Sequence, residues 1–424
     1  MKVYSYNINI IIICTILSLF SLAVAPSIVC AGGIEQTWAW RTISQGRRLT
    51  DGAFMRWPEQ PRDRLMLQEL LRWSAAGDDG KVRYRFGYEI AGTWHGQTPA
   101  SGEAVAGADP VGHPGAETLP NVWNTRGEFR RTARSLVAGT VERFQATWRA
   151  GSFDVDLGRQ PVSLGTSHFV GILDVLAPFS PGHLDASFKP GIDALRLRTR
   201  SGSTGEAELI VVPARSEENR AVLGRLRRTL SGIDLEGIAG RFRQREMLGV
   251  GWEGEKRGWN LWGEVAVFSR RPETDRRRAG PRGYARSLIA GVERQIRPLT
   301  RVGLAGFYQD FGVDNPGELP ALAGEAPFQE GWSYLGGRRY LLGTYDQEPH
   351  PLVRLNVSAL VNAGDGSMLC QPKIIFNTGD NSDLTLFAWI GTGADLGTGP
   401  GGSRPRSEFG SAADGLGFLA RRFF

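Results

Sequence analysis

Histidine, cysteine and serine are the side chains with which this chain could do covalent or acid–base chemistry, and they are sparse. The five histidines, His95, His113, His168, His183 and His350, all fall in segments that read as loops or turns. The sequence has no H-E-x-x-H, no G-x-S-x-G and no Cys-x-x-Cys spacing. One nucleophile–base neighbour pair exists, Ser167–His168. Neighbours in an extended segment point to opposite sides, so the histidine cannot make the hydrogen bond that activates a serine. The residues therefore imply no enzyme, no metal site and no cofactor. A membrane-embedded lipase or protease is the rival from the enzyme class.

The charged residues carry more information. Of 50 basic residues only Lys2, Lys81, Lys189, Lys256 and Lys373 are lysine, against 44 acids, for a net charge of +6. So small a balance does not call for nucleic acid. The chain opens with Lys2 and an apolar run from Ile8 to Ala25, then "VCAGG" with small residues suited to cleavage after Ala31. That pattern reads as a cleaved secretory leader over 1–31, with a retained membrane anchor as the rival, and export argues against a nucleic-acid partner as well. Removing it leaves Cys370 alone, so no internal disulfide can form.

Many of the arginines sit in strictly alternating stretches. "VRYRFGYEI" (82–90) places Val82, Tyr84, Phe86, Tyr88 and Ile90 on one face and Arg83, Arg85 and Glu89 on the other. "RFQATWRA" (143–150), "FDVDLG" (153–158), "WNLWGEVAV" (259–267) and "VRLNVSALV" (353–361) repeat the pattern. Such runs separated by Gly-, Asp- and Pro-rich breaks signal an all-β sandwich or barrel. We read strands over 36–43, 63–74, 82–92, 140–150, 152–158, 192–199, 205–213, 219–230, 233–242, 246–255, 258–268, 285–295, 300–311, 338–346, 351–362, 367–376, 383–391 and 413–424. Segment 219–230 fits a surface helix equally well. Short breaks ("AAGDDG", "SGSTG", "EKRG", "NTGDNS") fall on one side of this array. The long ones, including 44–62, 93–139, 159–191, 269–284, 312–337 and 392–412, fall on the other.

That asymmetry is the wiring of an outer-membrane β-barrel, with short periplasmic turns and long outside loops. A bilayer forbids unpaired backbone amides, so a spanning sheet must close. The expectation is a single transmembrane antiparallel barrel over 32–424, of eighteen strands with sixteen as runner-up. A soluble sandwich of this length would need several domains, and no linker separates them. In the barrel the Tyr/Phe/Val face meets lipid and the Arg/Glu face meets an aqueous lumen.

The chain ends "GLGFLARRFF". This ending resembles the last strand of Gram-negative outer-membrane barrels, although Arg422 stands where that family usually has an apolar residue. "DLGRQPVSLGTSHFVGILDVLAPFSP" (156–181) with "KPGIDALRL" (189–197), and "NAGDGSMLCQPKIIFNTGDNSDLTL" (362–386), resemble segments of porin-like barrels. The resemblance is to the alginate-export-like and uncharacterised proteobacterial families, with Leu164 where many relatives carry Trp. It implies a channel and does not name a substrate; the expected function is passage of small polar or anionic solutes, or export of an acidic polymer. It also implies surroundings of outer-membrane lipid and lipopolysaccharide, and a barrel-assembly machinery that reads Phe424. The non-enzyme alternative is a scaffold or adhesin, or a barrel sheathing a partner protein.

On the alternating register the lumen receives Arg83, Arg85, Arg143, Arg149, Arg196, Arg198, Arg301, Arg354 and Lys373. It also receives Glu89, Asp154, Asp156, Glu206, Glu208 and Glu264. Rings of Arg or Lys favour anions in pores. Pairing across hairpins sets Arg198 against Glu206, Arg196 against Glu208 and Arg149 against Asp154 as wall ties. That leaves Arg83, Arg85, Arg143, Arg301 and Arg354 as pore-lining candidates. Loop 159–191 is too apolar for a solvated loop, with Val162, Leu164, Phe169, Val170, Ile172, Leu173, Val175, Leu176 and Phe179. We expect it to fold inward as a constriction, with Asp174 near the axis facing the unmatched arginines. A lid packed on neighbouring loops is the alternative.

Overall fold

The computed structural model describes residues 34–48, 63–96, 121–179, 188–202, 204–269, 283–322, 324–331, 333–394, 397–399, 402–410 and 414–424. The leader at 1–31, the core of loop 93–139 and residues 180–187 lie outside the described residues.

The strands in chain order are β1 (Ile34–Arg48), β2 (Asp63–Asp78), β3 (Val82–His95), β4 (Gly127–Arg131), β5 (Ser135–Ala150), β6 (Phe153–Gln160), β7 (Ile192–Ser201), β8 (Gly205–Val212) and β9 (Ala221–Leu230). There follow β10 (Ile233–Phe242), β11 (Arg245–Lys256), β12 (Trp259–Ser269), β13 (Tyr284–Arg297), β14 (Thr300–Gln309), β15 (Arg339–His350) and β16 (Val353–Asn362). The last are β17 (Met368–Gly379), β18 (Ser382–Thr392), β19 (Gly397–Gly399), β20 (Gly402–Arg404) and β21 (Asp414–Phe423). Among the described residues, eighteen strands form a closed antiparallel barrel. β4 only extends the wall beside the upper end of β5, and β19 with β20 makes a separate ribbon.

Closure joins the two ends of the chain. β21 pairs with both β18 and β1, and the Phe424 N–H donates to the Trp38 carbonyl at 2.8 Å. All eighteen expected strands are present, and 221–230 is a strand after a single 3₁₀ turn at Glu217–Asn219. A helix there would have left β8 and β10 with open edges, which a spanning sheet cannot tolerate. Ser231–Gly232 and Arg257–Gly258 turn with positive φ at both residues (52° and 79°; 55° and 76°), which matches the right-handed twist of the strands they join. One connection on the long-loop side is also a two-residue turn, Arg243–Gln244, with φ of 47° and 61°.

The outward face carries large apolar side chains without cover: Leu416 is 71% exposed, Leu226 66% and Leu248 62%. So much uncovered apolar wall belongs in hydrocarbon. Towards the short-turn end, Trp38, Trp73 and Phe86 pack in a row of tilted rings, with centroids 6.3 and 5.6 Å apart. Tyr84, Trp148, Phe153 and Trp259 continue this aromatic girdle.

The inward face departs from the expectation of an Arg/Glu wall. It is polar near the short turns but apolar higher up. Ile210, Leu223, Ile238, Met247, Trp262, Phe268, Ile289 and Phe307 point inward and join one buried cluster with Val162, Leu164 and Ile172–Ala177 of the loop after β6. The reason is that the upper lumen is filled by protein. The loop after β14 contributes Leu319, Leu322, Phe328 and Leu335 to the same cluster.

Candidate functional site

The described parts of the loop after β6, 161–179 and 188–191, lie within the lumen, and the wall receives the first of them strand by strand. Arg196 of β7 donates to the Pro161 carbonyl at 3.3 Å, and Arg225 of β9 donates to the Ser163 carbonyl at 3.1 Å. Glu236 of β10 accepts the Gly165 N–H at 2.7 Å. Glu264 of β12 then accepts four amides on its two oxygens. Thr166 (2.6 Å) and Ser167 (2.7 Å) reach Oε1, and Ile172 (2.7 Å) and Leu173 (3.1 Å) reach Oε2. A fully buried carboxylate needs such donors, and a non-regular loop needs such acceptors. The two problems resolve each other.

Gly165 has φ +89°, and a Cβ there would strike the Glu264 carboxylate. On the wall, Gly249 and Gly251 of β11 leave the space that Leu173 and Thr166 occupy; a Cβ on Gly249 would collide with the Leu173 side chain. Leu173 is fully buried, worth about 1.5–3 kcal/mol of apolar burial. Farther along, Tyr334 of the loop after β14 donates to the Pro178 carbonyl at 3.1 Å. Between the two loops is a cavity of about 30 Å³ lined by Ile172, Phe179, Phe268, Phe307 and Phe311, room for one water.

His168 sits on Trp262, ring centroids 5.1 Å apart, and places Nδ1 2.8 Å from Glu293 and Nε2 3.2 Å from Glu253. The hydrogen bond to Glu293 raises its pKa above the ordinary histidine value, against the opposing effect of burial. Both ring nitrogens are thereby engaged with carboxylates, so Ser167 beside it has no base. Among the described residues no group of His, Cys, Asp and Glu could hold a metal ion.

The chain returns to the opposite wall at Phe188. The Arg72 guanidinium lies 3.2 Å from the Phe188 ring centroid and that of Arg143 4.1 Å from it. Arg72 also pairs with Glu89 at 2.5 Å. Acids line the β10–β13 wall, while the β2–β5 wall carries Arg72, Arg85 and Arg143 together with Glu89 and Glu142.

The candidate pore residues separate accordingly. Arg83 pairs with Asp78 at 3.0 Å and Arg354 with Asp346 at 2.9 Å, so these two are wall ties. Arg143 donates to the Glu142 carbonyl at 2.9 Å and to the Lys189 carbonyl. Arg85 and Arg301 make no ion pair among the described residues, and both are exposed. Asp174 does not face the arginines. It pairs with Lys189 of its own loop, the two side chains 13% and 7% exposed. A carboxylate so enclosed takes the nearest cation. Burial pushes Asp174 up to about 6 and lowers Lys189.

The expected ties also shift. Arg196 meets Glu208 at 2.5 Å, but Arg198 turns to Asp156 at 2.5 Å, and Glu206 meets Arg225 at 3.0 Å. The cause is the β7–β8 register. Ser201 faces Gly205, with Gly202 opening the turn at φ 70°, so facing positions lie two residues away from the alternation-based register. Arg149 and Asp154 face each other along the backbone, yet the Arg149 side chain reaches Asp78 at 3.0 Å across the neighbouring strand pair. Asp154 makes no ion pair among the described residues.

Sequence reasoning did not single out Glu236, Glu253, Glu293, Arg72 or Phe188, and it placed Glu264 among ordinary lumen acids. The signal was present on the wall. β11 reads "LGVGWEGE", with glycines at successive inward positions. In β12 the apolar residues run on both faces around Glu264.

No protein-family model matches the sequence, and no curated protein matches it. Solved structures do match its fold. Pseudomonas aeruginosa OccK5 (OpdH) superposes with a TM-score of 0.56 at 10% identity, covering 92% of this chain and 98% of that one. A BenF-like porin from Pseudomonas fluorescens Pf-5 gives 0.56 at 9% identity, covering 92% and 98%. Acinetobacter baumannii OccAB3 gives 0.54 at 10% identity, covering 92% and 99%. These neighbours support a porin-like barrel and not the alginate-export-like family that the loop motifs resembled.

Proposed function

We propose that the chain is an outer-membrane channel for small polar solutes, with a preference for anions, narrowed by the segment 161–179. The observation that carries this reading is that segment: pinned amide by amide to the acidic wall of a closed barrel, it leaves arginines along the facing wall. A route past it runs beside exposed Arg85, and a cation so placed attracts anions, whereas Arg72 is tied to Glu89 and stacks with Arg143 on Phe188. Arg301 lies on the acidic side and offsets Glu293 there. The fold is shared with solved porins whose names include a BenF-like porin, which fits a channel and names no solute here.

On this reading the leader at 1–31 directs export, and lipopolysaccharide and outer-membrane lipid surround the apolar belt. The assembly machinery then reads the end of the chain at Phe424. The testing experiment is conductance of the purified protein in planar bilayers under a salt gradient. The expected result is discrete steps with an anion-selective reversal potential, and a shift towards cation selectivity in Arg85→Ala. Steps without anion selectivity would remove the solute preference.

One observation favours a second reading. Two loops fill the upper lumen with buried Leu319, Leu322, Phe328 and Leu173. A barrel so packed fits a non-conducting scaffold, and absence of any conductance step would decide for it.

A further inference from the structure

The docked loop is held in two chemically different ways. Glu264 and Glu236 grip backbone amides, which do not themselves titrate. His168 is a side chain reaching the wall whose charge does change near neutral pH, whereas Asp174, raised to about 6, pairs with Lys189 inside the loop itself.

Among the described residues, the charged groups that face it are these. Glu253 of β11 faces Nε2 at 3.2 Å, and Glu293 of β13 faces Nδ1 at 2.8 Å. Trp262 of β12 lies flat beneath the ring. Asn260 donates to Glu253 at 2.9 Å, and Arg301 of β14 adds a positive charge on the far side of Glu293. Behind the ring, Glu264 is occupied by the amides of Thr166 and Ser167, and Glu236 by that of Gly165.

We infer that His168 is a proton-operated latch that holds segment 165–173 against the β11–β13 wall. Protonated, the imidazolium donates from both nitrogens, one to each carboxylate. Neutral, it keeps one N–H, and a ring lone pair then faces a carboxylate, which repels it. Removal of one proton thus turns one of two attractive contacts into an unfavourable one.

The direction follows from linkage. The docked histidine has a raised pKa, so the latch is complete below the free-histidine value of about 6.5 and is lost as pH rises through the docked value. His168 is about a third exposed, so solvent screens part of the effect and the expected change in docking is about tenfold, near the low end for charge-assisted bonds.

The test needs no conduction, so it stands apart from the channel reading. Amide hydrogen exchange of the detergent-solubilised full chain is followed for peptides covering 165–173 at pH 6 and pH 9. Wild type, His168→Gln and His168→Lys are compared at the same pH, which cancels the intrinsic exchange rate. At pH 6 the Gln variant should exchange about tenfold faster than wild type, and at pH 9 the two should coincide. The Lys variant, charged at both, should stay protected at both. Equal exchange of wild type and Gln variant at pH 6 would overturn the latch, as would a difference that persists unchanged at pH 9. If the Gln variant fails to form the barrel, wild type against the Lys variant at pH 9 decides alone: wild type must be the faster.

Discussion

Replacing Glu264 by glutamine is the sharpest perturbation of the docked loop, because it changes one atom's chemistry and almost no volume. The carboxylate takes two amides on each oxygen, at 2.6 and 2.7 Å on Oε1 and at 2.7 and 3.1 Å on Oε2. Glutamine keeps one oxygen and turns an NH₂ group towards the other two donors. Two hydrogen bonds to a charged acceptor are lost, each worth roughly 1.5–3 kcal/mol, or roughly 3–6 kcal/mol together. At about 1.4 kcal/mol per factor of ten, the ratio of docked to undocked loop falls by roughly 10²–10⁴.

The barrel itself is spared, since the ladders between β11, β12 and β13 do not use the side chain. The loop should therefore leave the wall while the protein remains heat-modifiable on gels. In single-channel recordings the variant should show a changed mean conductance and stronger current noise. In hydrogen exchange the amides of 166–173 should lose protection. If those amides keep wild-type protection, Glu264 does not hold the loop and the account of the docked segment is wrong.

Other expectations follow from the same contacts. Gly249→Val should displace Leu173 from the wall, since even one added carbon collides with it; faster proteolysis within 161–179 would register this, and unchanged cleavage would contradict it. Asp174→Asn strands the Lys189 ammonium in a buried site, at about 3–5 kcal/mol for a broken buried pair. It should loosen the loop rather than merely shift charge selectivity, so a reversal-potential change with no change in loop protection would count against it. Deleting Phe424 removes the terminal pair of backbone bonds with Trp38 at barrel closure. Membrane yield should fall while refolding in detergent survives, and normal yield would refute the role of that residue.

The strands were legible in the sequence because each one obeys a local rule. Residues such as those of 82–90 alternate, turn residues punctuate them, and parity of the connections sets how many are needed. A lipid-facing sheet must repeat this pattern in strand after strand, so most of the local signals agree. Segment 219–230 was ambiguous alone and was settled by the edges of β8 and β10, a non-local requirement.

The apolar composition of 161–179 showed that the loop must be buried, but not against what. Its partners Glu236, Glu264 and Glu293 lie dozens of residues away, on strands whose inward residues look like any lumen charge. Likewise, alternation told which side Arg198 faces but not whether it meets Glu206 or Asp156. A long guanidinium reaches several acids at nearly equal distance, and a two-residue change of register leaves the face unchanged. The sequence alone therefore determined face, count and closure, since these depend on local periodicity and on the need to satisfy every backbone amide. Only the tertiary structure decided which carboxylate receives which amide or guanidinium, because that choice depends on differences of a few ångströms between groups far apart in the chain.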